Sequence, residues 1–361
     1  KNVNNIFCKD NMFGKIIGTG SYVPENIVTN NDLTKIVETS DSWIEERTGV
    51  KQRHLMKNET TATMATEAAK RAVENAGIKP EEIDVIVVST VSSNLILPNT
   101  ACFVQEQIGA INAFCFDINT ACTGFMMAYN TVQSYINSGL VKTALIIGAE
   151  GLSRIIDWSD RGTCILFGDG AGAAIVKASD AAVFETVMKS DGRKGSALTC
   201  YNGFAARPRK IFTEEKQEIS DIYEKTNGQG NSGTYKKIDG QESLDTFVKM
   251  DGQEIFRFAV KEVPKCINEL MEKMNITSDD VDMFVLHQAN LRICQGIAKR
   301  LKISMDKVPT NVSEYGNTSS ACIPILLDEL FKAGKLKKGD RIIMSGFGAG
   351  VTLAATYLEI C

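Results

Sequence analysis

Ile78-Lys79-Pro80-Glu81-Glu82-Ile83-Asp84-Val85-Ile86-Val87-Val88 recurs 198 positions further on (78 to 276) as Ile276-Thr277-Ser278-Asp279-Asp280-Val281-Asp282-Met283-Phe284-Val285-Leu286. The same step carries Asn119-Thr120-Ala121-Cys122 onto Asn317-Thr318-Ser319-Ser320 (119 to 317). It also carries Ala144-Leu145-Ile146-Ile147-Gly148 onto Ile342-Ile343-Met344-Ser345-Gly346 (144 to 342). Two apolar strands can match by chance. Three segments of different character in one ungapped register argue for duplication of one unit. Each copy reads helix (Ala62 to Ala76; Gln253 to Met274), strand, loop, helix, strand. That alternation predicts a layered α/β fold with helices over largely buried strands. A two-fold axis between the halves would bring equivalent strand ends together, so a shared site is expected there.

Bulk properties narrow the classes. The 361 residues are 43% apolar, enough for a large core in two domains or one duplicated one. A net charge of −4 argues against general nucleic-acid binding. No apolar run approaches the roughly 20 residues needed to cross a bilayer. Only two histidines occur, and the ten cysteines include no C-x-x-C, so no metal site is expected. Irregular cysteine spacing in so large a chain reads as reduced thiols. Starting at Lys1 and not Met, the chain reads as a processed form, with any targeting peptide out of view.

Within Asp117-Ile118-Asn119-Thr120-Ala121-Cys122-Thr123-Gly124-Phe125, an apolar strand-like run from Ala113 to Ile118 breaks into a helical pattern. Met126, Met127, Val132, Tyr135 and Ile136 repeat at helical spacing, and Thr120 or Asn119 can cap that helix. A thiol in a first turn faces unpaired N–H groups and the positive end of the helix dipole. Cys122 is thereby expected to be a nucleophilic thiolate, the alternative being a buried helix cysteine. His287 directly follows the apolar run Met283 to Leu286, at a strand C-terminus where functional groups gather. His54, in Lys51-Gln52-Arg53-His54, reads as part of a solvated turn or edge. Asn317 precedes a helix from Ile323 to Phe331, as a simple N-cap or as a member of the Cys122 junction. Cys, His and Asn together suit thioester chemistry: thiolate as acyl acceptor, neutral imidazole and amide as donors to an enolate or oxyanion.

Gly346-Phe347-Gly348-Ala349-Gly350 offers backbone N–H groups without bulky side chains, as an oxyanion hole needs. The rival reading, a nucleotide loop, also applies to Gly168-Asp169-Gly170-Ala171-Gly172. Both run into strand-like sequence and neither matches G-x-G-x-x-G before a helix. Lys210 to Ser243 is polar and glycine-rich and reads as an inserted mobile surface loop.

The Cys122 segment, Asp160-Arg161-Gly162-Thr163 with Phe167-Gly168-Asp169-Gly170-Ala171-Gly172, His287-Gln288-Ala289-Asn290, Tyr315-Gly316-Asn317-Thr318-Ser319 and Gly346-Phe347-Gly348 resemble the β-ketoacyl-acyl-carrier-protein synthase III family, from about Lys15 to Glu359. The resemblance implies the thiolase fold, duplicated α/β halves in a five-layer α-β-α-β-α sandwich, normally a homodimer. It implies one half over 12–185, a connecting region over 186–250 with the insertion at 210–243, and a second half over 251–361. It implies the initiating condensation of type II fatty acid synthesis: an acetyl-type group moves from acyl-CoA to Cys122, then condenses with malonyl-acyl-carrier protein as carbon dioxide leaves. His287 and Asn317 would stabilise the enolate, and the backbone N–H groups of Cys122 and Ala349 the oxyanion, although the family usually has glycine where Ala349 stands. The CoA thioester is a substrate and no cofactor is implied.

The resemblance also places Trp43 and Arg161 around the adenine of CoA, Thr39 and Arg47 near the same nucleotide, and Asn290 in the pantetheine tunnel. Leu97 falls where relatives often carry Phe reaching into the partner's acyl pocket. A carrier protein is acidic and needs a basic face. Arg257, Lys261 and Lys265 recur at i, i+4, i+8, with Arg292, Lys299 and Arg300 as a second cluster, the alternative being an ordinary solvated face. Pro264 within that helix is expected to kink it. The rivals are a polyketide-type starter synthase, a hydroxymethylglutaryl-CoA synthase, whose catalytic Glu is missing from Val85 to Gln105, a cysteine-dependent hydrolase and a nicotinamide oxidoreductase. Abundant Asn and Lys point to an AT-rich genome and hence a plastid or apicoplast stroma, otherwise the cytoplasm.

Overall fold

Val85-Ile86-Val87-Val88 has no polar side chain to give to water, so its strand is stable only with both faces covered. The computed structural model, which describes residues 12–202 and 246–360 with the backbone of 236–238 and 241–243, covers it so. The first sheet comprises β1 (Phe13–Tyr22), β2 (Val85–Ser89), β3 (Phe114–Ile118), β4 (Thr143–Glu150) and β5 (Gly170–Ser179), in the order β1-β5-β4-β2-β3. The second comprises β6 (Phe184–Ser190), β7 (Met283–Leu286), β8 (Arg341–Gly348) and β9 (Thr352–Glu359), in the order β7-β8-β9-β6. β2 is parallel to β4, with Val85 opposite Ala144, and β7 is parallel to β8, with Met283 opposite Ile342.

Seven helices matter to the site: α1 (Asp41–Thr48), α2 (Thr61–Ala76), α3 (Thr100–Ile108), α4 (Gly124–Ser138), α5 (Gly252–Met274), α6 (Leu291–Leu301) and α7 (Cys322–Lys332). The apolar faces of α4 and α7 form a central layer. Phe125, Met126, Val132 and Leu326 pack with Val87 and Ile146 of the first sheet and with Val285 and Met344 of the second. On the outer face of the first sheet α2 and α3 meet Ile86, Val88 and Leu145. On the outer face of the second, α5 and α6 meet Phe284, Leu286 and Ile343. Five layers result, as the resemblance implies. Burial of each large apolar side chain in them contributes roughly 1.5–3 kcal/mol.

The duplication survives in backbone detail. Short 3-10 turns at Ala121–Thr123 and Ser319–Ala321 are related by the same step. Ala121 and Ser319 share a left-handed conformation, at φ 48° and 49°. The halves differ where Val312–Tyr315 forms a short helix at the position equivalent to β3, and among the described residues the second sheet has four strands. Pro264 is buried in α5, which runs unbroken past it. The insertion Lys210 to Ser243 lies outside the described residues, apart from an antiparallel ladder of Lys236–Ile238 with Gln241–Ser243 where the sequence reading had only loop.

Candidate active site

β3 delivers the chain to the Ala121–Thr123 turn, and α4 starts directly behind it. The left-handed Ala121 is a strained conformation of the kind that persists where surrounding structure over-determines it. Cys122 is buried, at 8% exposure. Burial pushes its thiol up to about 12, the nearby Glu150 carboxylate pushes the same way, and the Ser319 side chain favours the anion only in part. The sequence expectation of a thiolate poised by the helix dipole is therefore corrected. The dipole acts over the first turn and is worth at most about 2 kcal/mol, less than removing a sulfur anion from water costs here. Neither proposed cap holds the helix either. The Thr120 hydroxyl is buried with no partner among the described residues, while Asn119 Oδ1 accepts only the Ala121 amide at 3.4 Å.

His287 follows β7 and is buried, its amide bonded to the Ser345 carbonyl at 2.8 Å. Burial pulls its imidazole down to about 3, so it is neutral at any working pH. Nδ1 lies 2.8 Å from Cys322 Sγ, at the start of α7. Burial holds the Cys322 thiol in its protonated form, which makes sulfur the donor and Nδ1 the acceptor. The proton of His287 then sits on Nε2, an assignment that rests on the hydrogen-bond network. Asn317 is buried as well, and its Oδ1 accepts the Ser319 amide at 2.8 Å. That bond fixes the amide orientation and leaves Nδ2 as a donor.

β8 ties two of them together. A Cβ on Gly346 would stand 3.2 Å from His287 Cβ, and one on Gly348 would stand 2.9 Å from the Cys122 amide nitrogen. Residues two apart share a strand face and lie roughly 7 Å apart, so His287 and the Cys122 turn are neighbours along one strand. Ser319 follows Asn317 in the second turn, its amide donating to Asn317 Oδ1 at 2.8 Å and its hydroxyl to Glu150 Oε1 at 3.3 Å. Ala349 follows β8 directly, and its carbonyl accepts from Thr352 Oγ1 at 3.4 Å, as does that of Thr120.

One group escaped the sequence reading. Glu150 ends β4, fully buried, and bonds Ser92 Oγ at 2.6 Å and Ser320 Oγ at 2.8 Å. Burial raises its carboxyl to about 7. The only signal was an acid closing the otherwise apolar run Ala144 to Ala149.

A second cluster lies at the α1 end. The Arg47 and Arg161 guanidinium carbons stand 4.6 and 4.7 Å from the Trp43 ring centroid. Arg161 also donates to the Glu38 carbonyl at 2.8 Å, and the Thr39 hydroxyl is buried without a partner among the described residues. Asn290 caps α6 through Arg292 N at 2.8 Å and donates to the Arg47 carbonyl at 3.1 Å, so it bridges this cluster to the His287 strand end. Arg257 and Lys261 on α5, and Arg292, Lys299 and Arg300 on α6, are exposed. Arg257, Lys261 and Arg300 line a cavity of about 730 Å³ floored by Phe256, Phe258 and Val260. Lys265 is paired with Glu262 at 3.0 Å. Leu97 is 83% exposed, near the exposed Ile96. The solvated stretch expected around His54 is corrected: Arg53 is fully buried, donating to Asn30 Oδ1 at 2.9 Å and the Ile165 carbonyl at 2.8 Å, and His54 is half-buried.

Among the described residues, no three His, Cys, Asp or Glu side chains group as a metal site would need, and no helix is long and apolar enough to cross a membrane.

Two family models match the chain: 3-oxoacyl-[acyl-carrier-protein] synthase III over residues 116–192 and its C-terminal model over 271–360. The beta-ketoacyl-[acyl-carrier-protein] synthase III of Clostridium acetobutylicum is 45% identical over 346 residues, covering 96% of this chain and 98% of that one. The crystal structure of 3-oxoacyl-[acyl-carrier-protein] synthase III from Aquifex aeolicus superposes with a TM-score of 0.83 at 40% identity, over 96% and 99% of the two chains. The priming β-ketosynthase of the R1128 polyketide pathway superposes with a TM-score of 0.84 at 31% identity, over 99% and 98%.

Proposed function

This chain belongs to the 3-oxoacyl-[acyl-carrier-protein] synthase III family, and from that premise we propose how its residues perform the family's condensation. It is an acyltransferase, the initiating condensing enzyme of type II fatty acid synthesis. Cys122 takes the acyl group of a short acyl-CoA as a thioester. Malonyl-acyl-carrier protein then enters, and its thioester oxygen receives hydrogen bonds from His287 Nε2 and Asn317 Nδ2 as the carbon–carboxylate bond breaks. The enolate carbon attacks the Cys122 thioester, whose oxygen is held by the Cys122 and Ala349 amides. The 3-ketoacyl product leaves on the carrier, and no separate cofactor enters. The observation that carries this reading is the orientation of two neutral donors, His287 and Asn317, each by a second bond to a neighbour.

Arg161, Trp43, Arg47 and Thr39 are proposed to hold the CoA nucleotide, with Asn290 between them and the reacting end. A planar base would displace Arg161 from the Trp43 face and stack in its place. The exposed cations Arg257, Lys261, Arg292 and Lys299 suit an acidic carrier protein. The exposure of Leu97 and of the apolar β3 edge fits a homodimer in which Leu97 enters the partner's acyl pocket. We place the junction of the halves between Ser179 and Phe184, ahead of the 186–250 connector. A plastid or apicoplast stroma rests on Asn and Lys usage alone, while the relatives named above are bacterial.

The test is a panel of acyl-CoA primers with malonyl-acyl-carrier protein. At least one short primer is expected to give 3-ketoacyl product, and failure of all would overturn the assignment. A preference for primers other than acetyl would favour the polyketide-priming reading that the R1128 enzyme suggests. Trp43→Ala is expected to raise KM for acyl-CoA about tenfold, equivalent to ~1.4 kcal/mol of lost stacking, with kcat within about twofold. An unchanged KM would remove Trp43 from the nucleotide site.

A further inference from the structure

Arg53 is fully buried, yet every hydrogen bond it makes among the described residues goes to a neutral acceptor. Nη1 donates to Asn30 Oδ1 at 2.9 Å and to the Val28 carbonyl at 3.2 Å, and Nη2 donates to the Ile165 carbonyl at 2.8 Å. Nε is buried without a partner among the described residues. Burial lowers the guanidinium only to about 10, so it remains a cation at neutral pH. A buried cation is ordinarily matched to a carboxylate, and one left with neutral partners costs stability. Its neighbours are the backbone that carries Asn317.

The segment from Ile165 to Asp169 forms a strap along Asn317. The Leu166 carbonyl accepts the Asn317 amide at 2.8 Å, and the Asn317 carbonyl accepts the Gly168 amide at 3.1 Å. Both main-chain groups of Asn317 are therefore bound to the strap, as a parallel bridge that belongs to neither sheet. The short strand Gln52–His54 holds the strap at its two ends. Arg53 binds the Ile165 carbonyl, and the His54 carbonyl accepts the Asp169 amide at 2.8 Å. A Cβ on Gly168 would stand 3.3 Å from Arg53 Cβ, and one on Gly316 would stand 3.6 Å from it, so the Arg53 stem lies against both glycines that flank the bridge. On its other side the guanidinium is tied to Asn30, whose Nδ2 donates to the Val50 carbonyl at 2.8 Å and to Asp41 Oδ1 at 2.9 Å. Arg53 thus joins the start of α1 to the strap.

We propose that Arg53 is a positioning residue for decarboxylation: it pins the strap that carries the Asn317 backbone, and so aims the Asn317 amide at the enolate oxygen without touching substrate. This rests on the reading of Asn317 as an enolate donor. The Ser319 amide fixes which way the Asn317 side chain faces. Where its backbone stands is left to the strap. A misplacement of about 1 Å costs on the order of 10²-fold in rate, so a small shift of the strap is enough. The planar guanidinium donates in several fixed directions at once, whereas a lysine ammonium is a point charge on a flexible stem. Arg53→Lys therefore keeps the charge and loses the grip on one side.

The test is a double-mutant cycle on Arg53→Lys and Asn317→Ala. It is read as condensation by enzyme already acetylated on Cys122 and, separately, as the rate of that acetylation by acetyl-CoA. Arg53→Lys is expected to lower condensation at least about tenfold while acetylation stays within about twofold. In the Asn317→Ala background the same change is expected to cost less than about twofold, since no amide is left to misplace. Condensation within about twofold of wild type, a parallel loss of acetylation, or losses that multiply across the cycle would each overturn the proposal. The last two are what a purely structural arginine gives. Should Arg53→Lys fail to fold, Asn30→Ala, which removes one acceptor and keeps the cation, decides by the same cycle with an expected loss of at least about threefold. Asn317→Ala alone separates the two levels. If it condenses as fast as wild type, the donor reading of Asn317 fails. If it is slow but the losses multiply, only the role of Arg53 fails.

Discussion

Cys122→Ala is expected to abolish the acyl adduct and to lower condensation by at least about 10³-fold, because it removes the atom that forms the intermediate bond. Another thiol is close. Cys322 feels the charge of Cys122 and is buried in the same region. It is not expected to take over, since its sulfur is committed to His287 Nδ1. The alanine variant should stay folded, because replacing a small buried thiol by a methyl removes little volume. Its donors for the malonyl group are intact, so slow release of carbon dioxide from malonyl-acyl-carrier protein should persist without condensation. Mass spectrometry after incubation with acetyl-CoA checks the first outcome. A stable adduct elsewhere in Cys122→Ala, with condensation retained, would displace Cys122 from the mechanism.

The second large effect concerns the donors. His287→Ala and Asn317→Ala are each expected to lower condensation by about 10²–10³-fold, the range found when one oxyanion donor is removed. Acetylation of Cys122 should survive in both, which separates decarboxylation from acyl loading. The pair should be far from additive, since one enolate oxygen receives both bonds. The state of His287 adds a sign. A histidine whose value is lowered to about 3 is neutral on both sides of its usual range, so decarboxylation should show no imidazole titration between pH 5 and 8. A loss of decarboxylation on raising the pH through about 6.5 would mean that imidazolium is the donor.

How much of this was readable from the residues varies with the kind of interaction. The strand after Glu82, the strand after Asp282 and the helices behind Cys122 and Asn317 were legible because apolar periodicity is a local property of the chain. The duplication did more, since one shift of 198 predicted that Cys122, His287 and Asn317 share one end of the molecule. Thiol ionisation was misread. A helix terminus is visible in sequence, but the loss of water around Cys122 depends on what packs over it. Arg53 was misread for the same reason: in a run of charges it looks solvated, yet its guanidinium is spent on carbonyls and Asn30 contributed by distant segments.

Sequence alone settled the two-fold repeat and the layered α/β class, and it put forward Cys122, His287 and Asn317 as the reacting side chains from patterns along the chain and the family resemblance they carry. Only the folded arrangement decided which nitrogen of His287 carries the proton, which way the Asn317 amide points, and that Glu150 stands behind Cys122. Those depend on contacts between residues up to 170 positions apart, such as Ser320 with Glu150, and on burial, which no single segment encodes. Proton positions are set by the neighbours that water leaves behind, and those neighbours come together only when the two halves close on each other.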